Sequence, residues 1–372
     1  MPLFTTTRLM PLFTTTRSYE VRVAASPRWA DGAAASLNYN GFVVLRGAPV
    51  PDSICKRCNH AIVQRMERLL AYAGSHGVDT VLDQFTSREI CQRGFCSRRY
   101  DLDMPLDDRE YDHDTADAEW SAALGSKEEL QEEAAAWASL RAAVDPLATA
   151  VIERAERMLH RDAAVVVETP AAGAVVSVPG AKEQHLHRDG PSHGCFNSFI
   201  PLVPLTAENG ATQLVPRTHR RAAAAAAAEG DDDGAQKARV VLPSVRASSL
   251  SSASPASRGL RMMRRWAARR RVAARRDPEA RAVAPLLGLG DVLIFDYTVL
   301  HQGKANLSSA VRPIAYVQYA VNGARDYHNF PQDTTLRDYC ERLRATSARL
   351  DRTLAVFERV RDEAAALTKG RL

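Results

Sequence analysis

Gln184-His185-Leu186-His187-Arg188-Asp189-Gly190 is the stretch on which the reading of this chain turns. On an extended backbone alternate side chains share a face, so His187 and Asp189 point the same way and can grip one ion together. His185 lies on that face too, and local geometry alone leaves either histidine available as the carboxylate's companion. A third ligand has to come from elsewhere, and the rest of the chain is read for what could bring it.

The strongest candidate follows Gly290-Asp291-Val292-Leu293-Ile294-Phe295-Asp296, a tight turn feeding a β-rich run, after which stands His301. Two histidines and one carboxylate form the facial set that suits Fe(II) and leaves positions open for other ligands. Eleven residues on (312 − 301 = 11) comes Arg312-Pro313-Ile314-Ala315-Tyr316-Val317-Gln318-Tyr319-Ala320. Both faces of that run are largely apolar, as expected of a strand covered on both sides. A guanidinium there is costly unless it meets a carboxylate, either from the protein, with Asp291 or Asp296 as candidates, or from a ligand.

Around these residues the chain changes texture. Gly41-Phe42-Val43-Val44-Leu45-Arg46 opens the ordered part as a strand, and Pro49 and Pro51 break it. A helix capped by Asp52 or Ser53 follows, with Ile54, Cys58, Ile62, Leu69 and Ala73 on one face. Residues 101 to 119 are acid-rich and read as a solvated loop. Ser126 and Glu129 form a capping box for a second helix past Leu140, and a further helix is expected after Pro146. Short β-branched runs then dominate, at 164–168, 172–178, 195–203, 211–215, 239–242, 291–295 and 312–320. Many short strands with turn signals predict a mainly β core with flanking helices, a sandwich or barrel, of which the two-sheet jelly roll is the version that commonly holds a small metal site.

Three segments stand apart. Met-Pro-Leu-Phe-Thr-Thr-Thr-Arg occurs at 1–8 and again at 10–17, so residues 1–20 read as a disordered or targeting amino end. Residues 221–284 hold an alanine run and then an Arg-rich tract, a low-complexity insertion within a domain expected over 21–325. Residues 326–372 form a helical carboxyl-terminal segment. There Leu336, Cys340, Leu343, Ser347, Leu350, Leu354 and Phe357 repeat at alternating four and three, the seam of a helix docked on the protein's own body, or of a dimer contact.

Composition limits the function classes. The hydrophobic fraction of 45% and charged fraction of 25% are those of an ordinary soluble globular protein. The net charge of +5 is local: Arg258 to Arg281 carries ten Arg against Asp277 and Glu279, or +8, leaving 5 − 8 = −3 for the remainder. No specific nucleic-acid binding is expected from such a body, although the Arg-rich tract could meet an acidic partner. No apolar run is long enough for a membrane span. Six Cys without a secretory signal read as reduced thiols of an intracellular, cytoplasmic protein, with organelle targeting the alternative. Cys55, Cys58, Cys91 and Cys96 raise a zinc site, but Cys58 falls on the apolar helical stripe and core packing is the better account.

Taken together, His187-x-Asp189, Glu208-Asn209-Gly210-Ala211-Thr212-Gln213-Leu214-Val215-Pro216 with His219, Gly290 to Phe295, His301 and Arg312 resemble the phytanoyl-CoA dioxygenase family. The early Gly41 to Arg46 strand and the helix after it are similar to that family's opening. The resemblance implies the cupin-like double-stranded β-helix form of the jelly roll, with Fe(II) held by His187, Asp189 and His301, which selects His187 over His185. It also implies 2-oxoglutarate held by Arg312 as co-substrate with O2, ascorbate being supportive. The implied activity is hydroxylation of a small-molecule or lipid-like substrate with release of succinate and CO2, by a monomer or homodimer. Asp189 favours hydroxylation, since relatives that chlorinate lack that carboxylate. Two departures stand out. The interval from Asp189 to His301 (301 − 189 = 112) is long, and Gly303 stands where relatives often carry a hydroxyl, which throws more of the co-substrate onto Arg312. The competing reading is a catalytically silent jelly roll that uses its Arg-rich insertion as a docking arm.

Overall fold

A computed structural model describes residues 18–23, 28–47, 49–92, 97–104, 117–160, 164–190, 193–219, 281–325 and 334–369. The duplicated amino end, Cys96, residues 105–116 of the acidic stretch, the run 239–242 and almost all of the 221–284 insertion lie outside them.

In chain order the elements are β1 Glu20–Arg22, α1 Trp29–Asn40, β2 Phe42–Arg46, α2 Asp52–Ser75, β3 Phe85–Thr86, β4 Ile90–Gln92 and β5 Arg99–Met104. Then come α3 Ala118–Leu124, α4 Lys127–Leu159, β6 Val167–Ser177, β7 Cys195–Pro201, β8 Thr212–Leu214, β9 Val292–Asp296, β10 His301–Gly303, β11 Arg312–Val321 and α5 Leu336–Lys369. One large sheet runs β1-β2-β9-β7-β11-β6-β5-β4-β3, antiparallel except where β1 joins β2. A small sheet faces it. Its β10 and β8 pair antiparallel, and single bridges from His187 to His301 and from Leu214 to Val283 widen it on both sides. This is the double-stranded β-helix expected from the sequence, with helices on the outer face of the large sheet.

Strand β11 shows why. All ten of its residues are buried, because Ala315, Val317 and Tyr319 pack toward α2 and α4 while Ile314 points between the sheets. The first cluster includes Ile62, Leu69, Leu140, Val144, Val151 and Ile152 from the helices; the second joins Phe42, Val44, Leu214, Leu293, Phe295 and Val299 across the two sheets. Each such side chain contributes about 1.5–3 kcal/mol by leaving water. The Tyr319 hydroxyl, on the helix side, donates to Asp145 Oδ1 at 2.8 Å and so ties β11 to α4.

Several expectations are corrected. Order begins before Gly41, since β1 and α1 precede it; α1 is alanine-rich and carries little apolar periodicity to announce it. The expected strands 164–168 and 172–178 are one strand, β6. Pro170 is accommodated because the β6/β11 register shifts between Gln318 and Ala320, where a missing N–H breaks no ladder bond. The helix opened by Ser126 does not stop before Pro146 but runs unbroken to Leu159. Pro146 is exposed, as is Ala142, so the carbonyl freed by the missing N–H faces water while the opposite face stays packed. Residues 101–104 belong to β5, not to a solvated loop. Val283, at the margin given to the insertion, is part of the small sheet.

The described cysteines are core residues. Burial pushes the Cys55 thiol up to about 11 and Cys58 up to about 12, so neither offers the thiolate zinc requires. Among its described side chains helix α5 is docked at its start: Leu336 and Cys340 are fully buried, whereas Leu350 and Leu354 are each 62% exposed.

Candidate active site

The small sheet brings the candidate ligands together. After β9 the chain turns tightly, with the Thr298 N–H and hydroxyl both donating to Asp296 Oδ1 and the Val299 N–H donating to the Asp296 carbonyl. That turn sets His301 opposite His187, and the two exchange backbone hydrogen bonds of 2.9 Å in each direction. Arg188 then points away and donates to the Thr298 carbonyl at 2.7 Å, while the Asp189 N–H reaches the Tyr297 carbonyl.

Side chains follow from this register. His187 Nε2 lies 3.7 Å and His301 Nε2 3.3 Å from Asp189 Oδ1, and one ligand atom from each of the three residues lies within 4.8 Å of the others. Among the described residues this is the one such group of three. The Nδ1 atoms of His187 and His301 meet the carbonyls of His185 and Val299 at 2.9 and 3.0 Å. A carbonyl only accepts, so Nδ1 carries the proton and each Nε2 presents its lone pair inward. The Asn197 amide donates to Asp189 Oδ2 at 2.8 Å, which turns Oδ1 toward the histidines. His185 is exposed and contributes its carbonyl rather than its ring.

The electrostatics fit a cation. Burial would raise the Asp189 carboxyl, but the His301 ring, His187 and the Asn197 amide outweigh that and hold it below the usual carboxylate range. Burial would lower His301, yet Asp189 outweighs it and raises the ring. His187 is lowered, by burial first and His301 second. The Asp189 carboxylate therefore stands ready to share a positive charge with two imidazoles.

Arg312 opens β11 beside this triad, on the inner face of the large sheet. Its side chain is buried, its Nη2 donates to the Ser177 hydroxyl and its Nε has no hydrogen-bond partner. Neither sequence candidate pairs with it: Asp291 holds Arg46 at 2.7 Å, and Asp296 serves its turn. Burial and then the neighbouring Arg99 push the Arg312 guanidinium well below its ordinary value. Arg99 comes from β5, which pairs with β6 so that Arg99 and Arg312 both stand opposite Ser177. Arg99 donates to the carbonyls of Lys182 and Lys304 at 3.1 and 2.9 Å, whereas Arg312 has no protein carboxylate among the described residues, and a buried guanidinium so placed calls for an anionic ligand.

Gly303 has a physical reason here. A Cβ at this position would lie 2.3 Å from Arg99 Nη1 and 2.7 Å from Gln184 Oε1. The Gly303 N–H donates to Gln184 Oε1 at 2.9 Å, so the space a side chain would need is held by Arg99 and Gln184. Sequence reasoning gave no role to Arg99, Ser177, Gln184 or Asn197. For Arg99 a signal existed: Arg99-Tyr100-Asp101-Leu102-Asp103-Met104 alternates polar and apolar as a half-buried strand does.

A pocket between two β-sheets that gathers two histidines, a carboxylate and an unpaired buried guanidinium defines a non-haem iron, 2-oxo-acid type of oxygenase site. A family profile described as phytanoyl-CoA dioxygenase (PhyH) matches residues 37–314, and the chain belongs to that family, whose members use Fe(II) and 2-oxoglutarate. Among solved structures the chain is similar to the non-haem α-ketoglutarate-dependent epimerase SnoN from nogalamycin biosynthesis, at 14% identity and a TM-score of 0.45, over 83% of this chain and 90% of that one. It is also similar to AviO1 from Streptomyces viridochromogenes Tue57, at 17% identity and 0.40, over 80% and 97%. The α-ketoglutarate-dependent carbocyclase SnoK gives 14% and 0.42, over 83% and 89%. No curated protein matches the chain. Among the described residues no helix is long and apolar enough to cross a membrane.

Proposed function

We propose that the protein hydroxylates a small or lipid-like organic substrate, consuming O2 and 2-oxoglutarate and releasing succinate and CO2. In this reading His187, Asp189 and His301 hold Fe(II), and Arg312 holds the distal carboxylate of 2-oxoglutarate. The observation that carries it is the buried, carboxylate-free Arg312 beside a preorganised His, Asp, His triad. The donor set is neutral imidazole and carboxylate, which suits Fe(II) and leaves half its coordination sphere open.

Held by His187, Asp189 and His301, with the co-substrate on Arg312, the iron would supply the activation of dioxygen, one oxygen atom going to succinate and the other to the product hydroxyl. The chain's own residues bind, orient and exclude water. The carbonyls of His185 and Val299 fix the histidine tautomers, and Asn197 fixes the carboxylate. Arg312, aided by the Ser177 hydroxyl, gives the dicarboxylate a charge-assisted anchor at a fixed distance from the triad. Val175, Phe199 and Ile314 line the same pocket and limit water there. We read the chain as one oxygenase domain over 21–325, interrupted at about 221–284 and followed by a helical segment over 326–372.

The test is succinate release from labelled 2-oxoglutarate with ferrous iron and ascorbate, with and without candidate substrates. Turnover that depends on iron and is lost in Asp189→Ala supports the reading. Turnover that persists in Asp189→Ala places the site elsewhere, and the absence of both turnover and iron-dependent 2-oxoglutarate binding favours the silent jelly roll.

A further inference from the structure

Helix α5 starts firmly and then leaves the body. The Leu336 N–H donates to the buried Glu89 carboxylate at 2.9 Å, and Thr335 and Asp338 cap one another at 3.1 and 3.0 Å. Leu343 is the last seam residue to touch the core. Beyond it Ser347, Leu350, Leu354 and Phe357 continue the same stripe in solvent, with Phe357 69% exposed. A regular apolar seam in water marks a contact surface.

We infer that the protein forms a homodimer in which the outer parts of two α5 helices pair antiparallel about a two-fold axis near Arg352. Size complementarity is the first reason. Antiparallel pairing about that axis sets Ser347 against the second copy's Phe357 and Leu350 against its Leu354, so the smallest seam residue meets the largest, twice. Parallel pairing sets serine on serine and phenylalanine on phenylalanine, which leaves a gap at one layer and crowding at another.

Charge is the second. Arg344, Asp351 and Glu358 recur every seven residues along one flank of the seam. In the antiparallel pair Arg344 faces the second copy's Glu358 at both ends, while Asp351 nears its own copy at the axis, a like-charge contact that limits affinity. In a parallel pair that flank would face Tyr339, Thr346 and Thr353, and no charge would be matched. An overlap of a few turns is at the small end for a stable dimer, so a dissociation constant on the order of micromolar is expected.

Sedimentation velocity of the full-length protein from about 1 to 100 µM tests this, with the shift from monomer to dimer falling inside that range. Leu354→Glu is expected to stay monomeric throughout. Arg344→Glu should weaken the dimer roughly tenfold, and adding Glu358→Arg should restore it. Under mild oxidation a mixture of Ser347→Cys and Phe357→Cys proteins should cross-link to each other, and Ser347→Cys alone should not. A monomer at every concentration, a dimer indifferent to Leu354→Glu, no recovery in the double charge swap, or self cross-linking of Ser347→Cys would each overturn the inference. Iron-dependent 2-oxoglutarate binding in each variant reports that the body is folded, and the charge swap is confined to exposed residues.

Discussion

Replacing Arg312 with Met should abolish 2-oxoglutarate binding while leaving the metal-free protein as stable as before, or more so. The two effects have opposite signs because the guanidinium is 1% exposed, donates to a hydroxyl through one Nη, and carries an Nε with no partner. Without a ligand it is a buried cation beside a second one, Arg99. Removing one member of a buried ion pair costs about 3–5 kcal/mol, which corresponds to a loss of 2-oxoglutarate affinity of roughly 150- to 5,000-fold. Replacing a buried charge by an apolar side chain of similar length is neutral or stabilising by about 1–3 kcal/mol, and each kcal/mol moves the melting point by about 2–4 °C. Calorimetric titration of 2-oxoglutarate into protein loaded with Mn(II), which binds without turning over, reads the first effect; thermal melting of the metal-free protein reads the second. Affinity within about threefold of wild type, when a lost pair predicts more than a hundredfold, would mean that the co-substrate is anchored elsewhere. A melting point lowered by more than about 5 °C would mean that Arg312 has a protein carboxylate after all.

Gly303→Ser should lower 2-oxoglutarate affinity at least tenfold, since its Cβ would fall 2.3 Å from Arg99 Nη1, and Arg99→Ala in the same chain should recover part of it; titration of both variants checks this. Iron content after anaerobic loading should vanish in His187→Ala and persist in His185→Ala, because only the first ring points at Asp189. Glu133→Ala should cost about 3–5 kcal/mol in denaturant melts by removing the carboxylate that the buried Arg65 meets at 2.9 Å, whereas Arg65→Met with Glu133→Leu should come within about 1 kcal/mol of wild type. The Glu129 carboxyl is held below its ordinary value, chiefly by the Ser126 N–H and against a smaller effect of burial. A depressed carboxyl stabilises above its unfolded value of 4.5 and loses that contribution as pH falls through the folded value. Glu129→Gln should therefore lose about 0.5 kcal/mol or less at pH 7 and match wild type in strong acid, as urea melts across pH will report.

What was legible in the sequence was local or had a long-range consequence written locally. His187-x-Asp189 needs two residues, and Arg312 announces itself because a cation stands on a strand apolar on both faces. The density of short β-branched runs pointed to a sandwich or barrel, and the family resemblance narrowed it to the double-stranded β-helix. What escaped depends on pairing across the fold. Arg99 enters the pocket only because β5 lies beside β6 in a register that sets Arg99 against Ser177, and no local rule gives a partner 78 residues away (177 − 99 = 78). Helix α1 and the continuity of α4 through Pro146 were missed for the opposite reason: local propensity argued weakly or wrongly, and packing against the sheet prevailed.

The pairing of Gly303 with Arg99 ties these strands of reasoning together. Read along the chain, Gly303 is a loss, an absent hydroxyl where relatives often have one. In the fold it is the condition for a second buried guanidinium, because β10 stands opposite β5 across the pocket and any side chain at 303 would occupy the position of Arg99. The Arg99 charge lies next to Arg312, which it destabilises while the pocket is without an anion. The pocket is thereby costlier to leave without an anion than one built around a single arginine. Its binding of a dicarboxylate is correspondingly more dependent on charge, and so more sensitive to replacement of Arg312 than of any neutral contact around it.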